Sequence, residues 1–214
     1  MTLHEALAAL QSEGDATRAA DLSSRFGAGV YLGVAPARLD ELARTWRQDI
    51  AFPERLDLAR GLWAAEPHEA RVMAAKLLTQ ARIKDDAAVW DQICAWISDA
   101  RNWAEIDALG AAGGRRLVGD LSRMATVHAL AASDRALDRR AAMILSTPLA
   151  KLAHPGKDEL NAIDDVLFWL THALQDTDKD VARTADTWVR ALGKHDSKRA
   201  KMVRRVVEMR KSDS

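Results

Sequence analysis

The sequence predicts an all-α protein, an ordered run of amphipathic helices, on three observations. Apolar residues recur at spacings of three and four through about ten to twelve segments. Alanine, leucine and arginine are abundant while long β-branched alternations are missing, a composition that favours helix over strand. Short punctuators separate the segments: Gly14-Asp15, Phe52-Pro53, Glu66-Pro67, Asp85-Asp86 and His154-Pro155-Gly156.

The first segment runs from Leu3 to Gln11 and the second from Ala16 to Ser24. A glycine-containing turn, Phe26 to Pro36, leads into a third, Ala37 to Trp46. Pro36 suits a helix entry because its missing N–H belongs to the first turn, where no intrahelical partner exists. Pro53 to Ala64 and Pro67 to Ala81 each carry proline near the start, and Glu69 in the first turn of the latter complements the helix dipole. His68-Glu69 lacks the second histidine of a zinc-protease helix, since position 72 is Val. Asp86 to Ile97 carries Trp90 and Trp96 as core residues. Asn102 caps or immediately precedes the next helix, which bears Trp103 and Asp107 and runs towards Gly110, with Gly113-Gly114 as a break. Arg115 to Leu130 follows, then Asp134 to Leu145, with Asp134 as N-cap and Arg139-Arg140 in mid-helix. Lys157 to Leu174 and Lys179 to Leu192 are joined by Gln175-Asp176-Thr177-Asp178, and a strongly basic helix over about 197–210 comes last.

At 214 residues the chain can build one substantial core or a repeat array, expected here as a single domain over 1–214. Cys94 is the only cysteine, so no internal disulfide forms. The six histidines show no ligand spacing, and Gly110-Ala111-Ala112-Gly113-Gly114 lacks the strand and the lysine of a phosphate loop. Neither a metal nor another cofactor is expected. With no basic region followed by an apolar run at the N-terminus, and no stretch of ~18 apolar residues, the expected setting is cytoplasmic, without membrane contact. The net charge is zero, yet residues 1–107 hold 12 Lys/Arg against 17 Asp/Glu and residues 108–214 hold 19 against 14. Such a polarised chain can offer a basic face to a polyanion, or simply a solvated helical surface.

Paired helices repeating at roughly 40 residues fit a HEAT-like solenoid. One segment carries the pattern directly: Asp178, Val181, Arg183 and Ala185, ending Ala191-Leu192-Gly193. No pair buries its apolar face alone, and stacking creates an inner helical layer along a concave surface, the default binding site. The expectation is a HEAT-like helical-repeat solenoid with a concave basic cleft.

Within that frame Trp103 and Asp107 stand out, four residues apart and therefore on one helix face. Arg140 follows Asp107 by 33 residues and Trp188 follows Arg140 by 48, spacings that let stacked inner helices bring them side by side. Taken singly, a tryptophan at helical spacing is ordinarily core, and an Asp near an Arg is ordinarily a surface ion pair. The joint pattern is what singles them out.

The chain resembles the DNA alkylation repair glycosylases built from HEAT-like repeats, the AlkD-like family. The resemblance rests on Gly33-Val34 followed by Leu39, Glu66-Pro67-His68-Glu69-Ala70-Arg71, Asn102-Trp103-Ala104-Glu105-Ile106-Asp107, Arg139-Arg140-Ala141-Ala142-Met143-Ile144-Leu145, and Val181 through Lys194 with Trp188. It extends from about residue 25 to 195. It implies excision of cationic N-alkylated purines such as 3-methyladenine and 7-methylguanine from duplex DNA by a monomer, without the extruded-base pocket of other glycosylases. Asp107 matches the family's catalytic aspartate, Arg140 the arginine beside it, and Trp103 and Trp188 the two cleft indoles.

The chemistry suits those residue types. A purine alkylated on a ring nitrogen departs neutral without a proton donor, while positive charge builds on the deoxyribose. An ionised Asp107 would stabilise that oxocarbenium-like sugar and orient the attacking water. The indole faces would pack on the sugar, and Arg140 would hold a flanking phosphate bidentately. Arg115, Arg116, Arg139, Arg183, Arg190 and Lys194 are the candidates for phosphate neutralisation. The chain departs from the family pattern at Asp40, where a basic residue is expected, and at Ala104 and Glu105. The alternative reading is a non-catalytic HEAT-like module that binds DNA or a protein partner on its concave face.

Overall fold

A computed structural model describes residues 1–80 and 82–212. Among them the chain forms twelve α-helices and one 3-10 turn, with no strand beyond an isolated bridge between Val30 and Pro67. The all-α expectation holds. Ala81, the expected end of the segment opened by Pro67, lies outside the described residues. Among the described residues no helix is long and apolar enough to cross a membrane.

The chain divides into two compact units, Met1–Ala112 and Gly113–Ser214. The first holds α1 (Leu3–Ser12), α2 (Ala16–Phe26), α3 (Pro36–Asp49), α4 (Phe52–Ala64), α5 (His68–Leu77), α6 (Ala87–Asp99) and the start of α7 (Trp103–Gly119). Local chemistry explains the starts. Thr2 and Glu5 form a reciprocal capping box at α1, Asp15 caps α2, and Pro36 opens α3. Helix α5 packs on α4 and α3, and its residues His68 through Ala75 are all buried, charged ones included. A helix without a solvated face needs every polar side chain satisfied inside the protein. The turn before α3 approaches closely: Gly33 has φ 77°, and a Cβ there would collide with the Asp15 carbonyl.

The second unit holds the end of α7, the 3-10 turn Leu121–Arg123, α8 (Met124–Ala131), α9 (Ala136–Ala150), α10 (Lys157–Ala173), α11 (Lys179–Gly193) and α12 (Ser197–Ser212). Helix α9 packs on α8 and α11, and α12 packs on α11 and α10.

Several boundaries differ from the sequence expectation, those of α7 and α9 most. Helix α7 runs straight through Gly113-Gly114, which are buried. A Cβ on Gly114 would lie 2.8 Å from Pro148 Cγ and 2.9 Å from the Leu145 carbonyl oxygen, so this glycine lets α9 come close and does not break the helix. The segment Arg115 to Leu130 is therefore the end of α7, a 3-10 turn capped by Asp120, and α8. Asp134 does not cap α9, since Arg135 holds that position; the Asp134 carbonyl instead accepts from Arg139 Nη1 at 2.8 Å. The same helix continues past Leu145, through Pro148, to Ala150.

Candidate functional site

The start of α7 is built as expected and then reinforced. Asn102 Oδ1 accepts from the backbone N–H groups of Ala104 (3.0 Å) and Glu105 (3.2 Å), which caps the helix. Trp103 and Asp107 lie one turn apart and both are half-buried. Phe26 meets Trp103 edge-on, with ring centroids 5.3 Å apart, and also touches the His68 ring at 5.4 Å. Tyr31 sits 5.7 Å from the same histidine.

Glu105 points the other way and is 1% exposed. Its carboxylate accepts from Arg71 Nε (3.1 Å), the Arg101 backbone N–H (3.0 Å) and Asn102 Nδ2 (3.3 Å), and lies 3.4 Å from His68 Nδ1. Burial would push this carboxyl up, but the bonds from His68 and Arg101 and the charge of Arg71 together hold it below the usual carboxylate range. Arg71 continues the network to the carbonyls of Trp63 (3.2 Å) and Asp99 (2.8 Å) and to Asp99 Oδ2 (3.0 Å). Its guanidinium lies 3.9 Å from the centre of the Trp63 ring, which stacks on Trp96 at 4.8 Å. Glu69 receives the N–H groups of Leu32 (2.9 Å) and Gly33 (2.7 Å). The Glu66–Arg71 motif thus fastens α5 to the Phe26–Pro36 turn and to the first turn of α7.

In the second unit Arg140 Nη1 donates to Thr184 Oγ1 (2.7 Å) and to the Asp180 carbonyl (3.3 Å) on α11. Thr184 precedes Trp188 by one turn, so Arg140 is held against the helix that carries the tryptophan. Trp188, expected as a cleft indole, lies in the packing of this unit. It is 1% exposed on the apolar face of α11 with Val181, Ala185, Val189 and Leu192, and among the described residues its Nε1 has no hydrogen-bond partner. Of the four residues singled out, the fold therefore holds one pair on α7 and one in the α9–α11 packing of the second unit.

The basic candidates separate by environment. Arg116, 1% exposed, lies on the buried side of α7 with Ala112 and Leu117. Arg139 grips Asp176 through Nε (2.7 Å) and Nη2 (2.9 Å) and donates to the carbonyls of Ser133 and Asp134. The Asp176 hydrogen bonds raise the Arg139 pKa, and those same bonds hold the Asp176 carboxyl below its ordinary range. Arg183 pairs with Asp180 (3.2 Å) and Arg190 with Asp186 (2.6 Å), both at the surface. Arg115 and Lys194 are exposed and form no ion pair among the described residues. Asp40, at the position expected to be basic, binds Lys76. A groove of about 650 Å³ between α10 and α12 carries none of these candidates.

The family model described as DNA alkylation repair enzyme matches residues 6–203. The chain belongs to that family. The match takes in the capped start of α7, Arg140 on α9 and Trp188 on α11. No curated protein and no solved structure matches the chain. Membership of a DNA alkylation repair family makes DNA the substrate class. Among the described residues no group of three or more His, Cys, Asp and Glu is placed to hold a metal ion.

Sequence reasoning assigned no role to Glu105, Arg71, Phe26 or Tyr31. Glu105 had a readable signal, since it stands three residues after Asn102, the spacing of a capping box. Phe26 and Tyr31 flank Gly27 and Gly29, and nothing local announces that their rings meet His68 and Trp103.

Proposed function

We propose that the protein is a monofunctional DNA glycosylase that hydrolyses the N-glycosidic bond of cationic N-alkylated purines, 3-methyladenine and 7-methylguanine among them, in duplex DNA. The observation that carries the reading is the half-buried pair of Trp103 and Asp107 on one face of a capped helix, in a chain of a DNA alkylation repair family. Asp107, ionised, stabilises the positive charge that develops on the deoxyribose and orients water towards its anomeric carbon. The alkylated base leaves with the bonding electrons and is thereby neutralised, so no general acid is required. Trp103 packs against the sugar, and Arg140 steadies a neighbouring phosphate. Exposed Arg115 and Lys194 add sequence-independent affinity. On this reading the protein acts as a cytoplasmic monomer.

The test is release of free 7-methylguanine from methylated duplex DNA in single-turnover conditions. Wild type releases the base and Asp107→Asn slows release by at least ~10²-fold, the scale of losing a preorganised electrostatic group. No release by wild type, or undiminished release by the variant, defeats the proposal.

One observation favours a second reading. Trp188 is buried in packing where a cleft indole was expected, as suits a helical module that binds DNA or a protein partner without chemistry. Its signature is salt-dependent duplex binding with no base release.

A further inference from the structure

Glu105 is a buried charge that the chemistry assigned to Asp107 does not use. It lies midway between Trp103 and Asp107 in sequence. Two residues advance an α-helix by about 200°, so Glu105 projects from the side of α7 opposite both. Whatever holds Glu105 therefore sets the rotation of α7 about its own axis, and with it the directions of the other two side chains. What holds it comes from several elements: Arg71 and His68 from α5, the Arg101 backbone and Asn102. Arg71 is itself fixed to the C-terminal ends of α4 and α6 through Trp63 and Asp99. His68 touches Phe26, whose ring supports Trp103 from the other direction.

We infer that Glu105 is a positioning residue: its buried carboxylate locks the first turn of α7 onto α5 and thereby aims Trp103 and Asp107. The catalytic consequence rests on the glycosylase reading, whereas the geometric one does not. Glutamine at this position keeps the volume but supplies a single acceptor oxygen, and its NH₂ would face N–H donors that now meet a carboxylate. The first turn then rotates or becomes mobile. A displacement near 1 Å at a catalytic group lowers a rate by about 10²-fold, so a fraction of that displacement lowers it by about 10-fold.

The experiment uses full-length protein labelled with 5-fluorotryptophan, the Trp103 resonance being assigned by its absence in Trp103→Phe. Single-turnover release of 7-methylguanine is followed across enzyme concentration in parallel. Ile93→Ala, a cavity variant in the buried face of α6, controls for lost stability. In Glu105→Gln we expect the Trp103 resonance to shift or broaden while that of Trp46 on α3 stays in place. The maximal rate should fall about 10-fold or more, with the half-saturating concentration changed less than about twofold. Ile93→Ala should leave the maximal rate and the Trp103 resonance as in wild type. An unmoved Trp103 resonance in Glu105→Gln overturns the inference, as does an equal loss of rate in both variants. A moved resonance in a wild-type background that releases no base retains the positioning role and removes the glycosylase reading. Should Glu105→Gln not fold, Glu105→Asp, one methylene shorter, is read by the same two criteria.

Discussion

Glu69→Ala should be among the most destabilising single substitutions in the first unit. The Glu69 side chain sits in the buried stretch of α5, and its two oxygens serve two different donors, Oε2 the N–H of Leu32 and Oε1 the N–H of Gly33. Gly33 is buried and Leu32 is half-buried. Alanine orphans both donors. An orphaned buried N–H costs about 1–3 kcal/mol, with the upper part of that range for Gly33 and the lower part for Leu32, which water can reach. The sum is about 3–4 kcal/mol. For a chain of this size that corresponds to a melting temperature lower by roughly 10 °C. Glutamine should restore little of it, because its one oxygen satisfies one donor while its NH₂ confronts the other. The assay is thermal and urea unfolding by far-UV circular dichroism on wild type, Glu69→Ala and Glu69→Gln. A loss below about 1 kcal/mol for alanine, or a glutamine variant indistinguishable from wild type, would refute the reasoning.

Gly114→Ala should lower stability by about 1–3 kcal/mol despite alanine's better helix propensity, because one of the atoms its Cβ meets is a backbone carbonyl that cannot rotate away; thermal melting checks it. Asp176 has a folded-state pKa below its unfolded value, held there by the hydrogen bonds of Arg139. Its contribution is therefore complete above the unfolded value of about 3.9 and is lost as pH falls through the folded one. Urea midpoints measured from neutral to acid pH should show Asp176→Asn with a shallower acid decline than wild type, and a parallel decline would count against the pair. Lys194→Ala and Arg115→Ala should each weaken duplex binding for all sequences alike and reduce the slope of log affinity on log salt by about 1. Arg139→Ala should instead lower the melting temperature, because its guanidinium is already bound to Asp176; an unchanged melting temperature with a reduced salt slope would reverse that assignment.

Much of the architecture was legible because it is written locally. Helix starts at Pro36, Asn102 and Asp178 depend on a single residue type at one position, and the structure places each where the chemistry requires. What sequence could not supply is a helix's rotational phase relative to its neighbours. Arg116 and Trp188 sit on amphipathic helices, and which side faces inward depends on where α9 and α12 come to rest. Gly113-Gly114 illustrates the same limit. A glycine pair looks like a stop until Pro148 and the Leu145 carbonyl occupy the space where a Cβ would be. The Glu66–Arg71 motif was legible as a pattern but not as a role, since its buried charges acquire meaning only from Leu32, Gly33, Asp99 and Glu105. On α7 the pairing of Trp103 with Asp107 on one face follows from spacing alone. Their orientation depends on contacts up to 77 residues away in the chain, from Phe26 to Trp103.

Buried from His68 through Ala75, α5 also sets a timescale. Its backbone amides are exposed to exchange only when the packing around them opens, so they should be the slowest-exchanging protons of the first unit. Glu105 ties the first turn of α7 to that helix. Trp103 and Asp107, though reachable from solvent, are thereby anchored to the part of the unit that opens least often. The surface at which a damaged strand would be met should fluctuate with the slow opening of the interior and not with the fast motion of a loop.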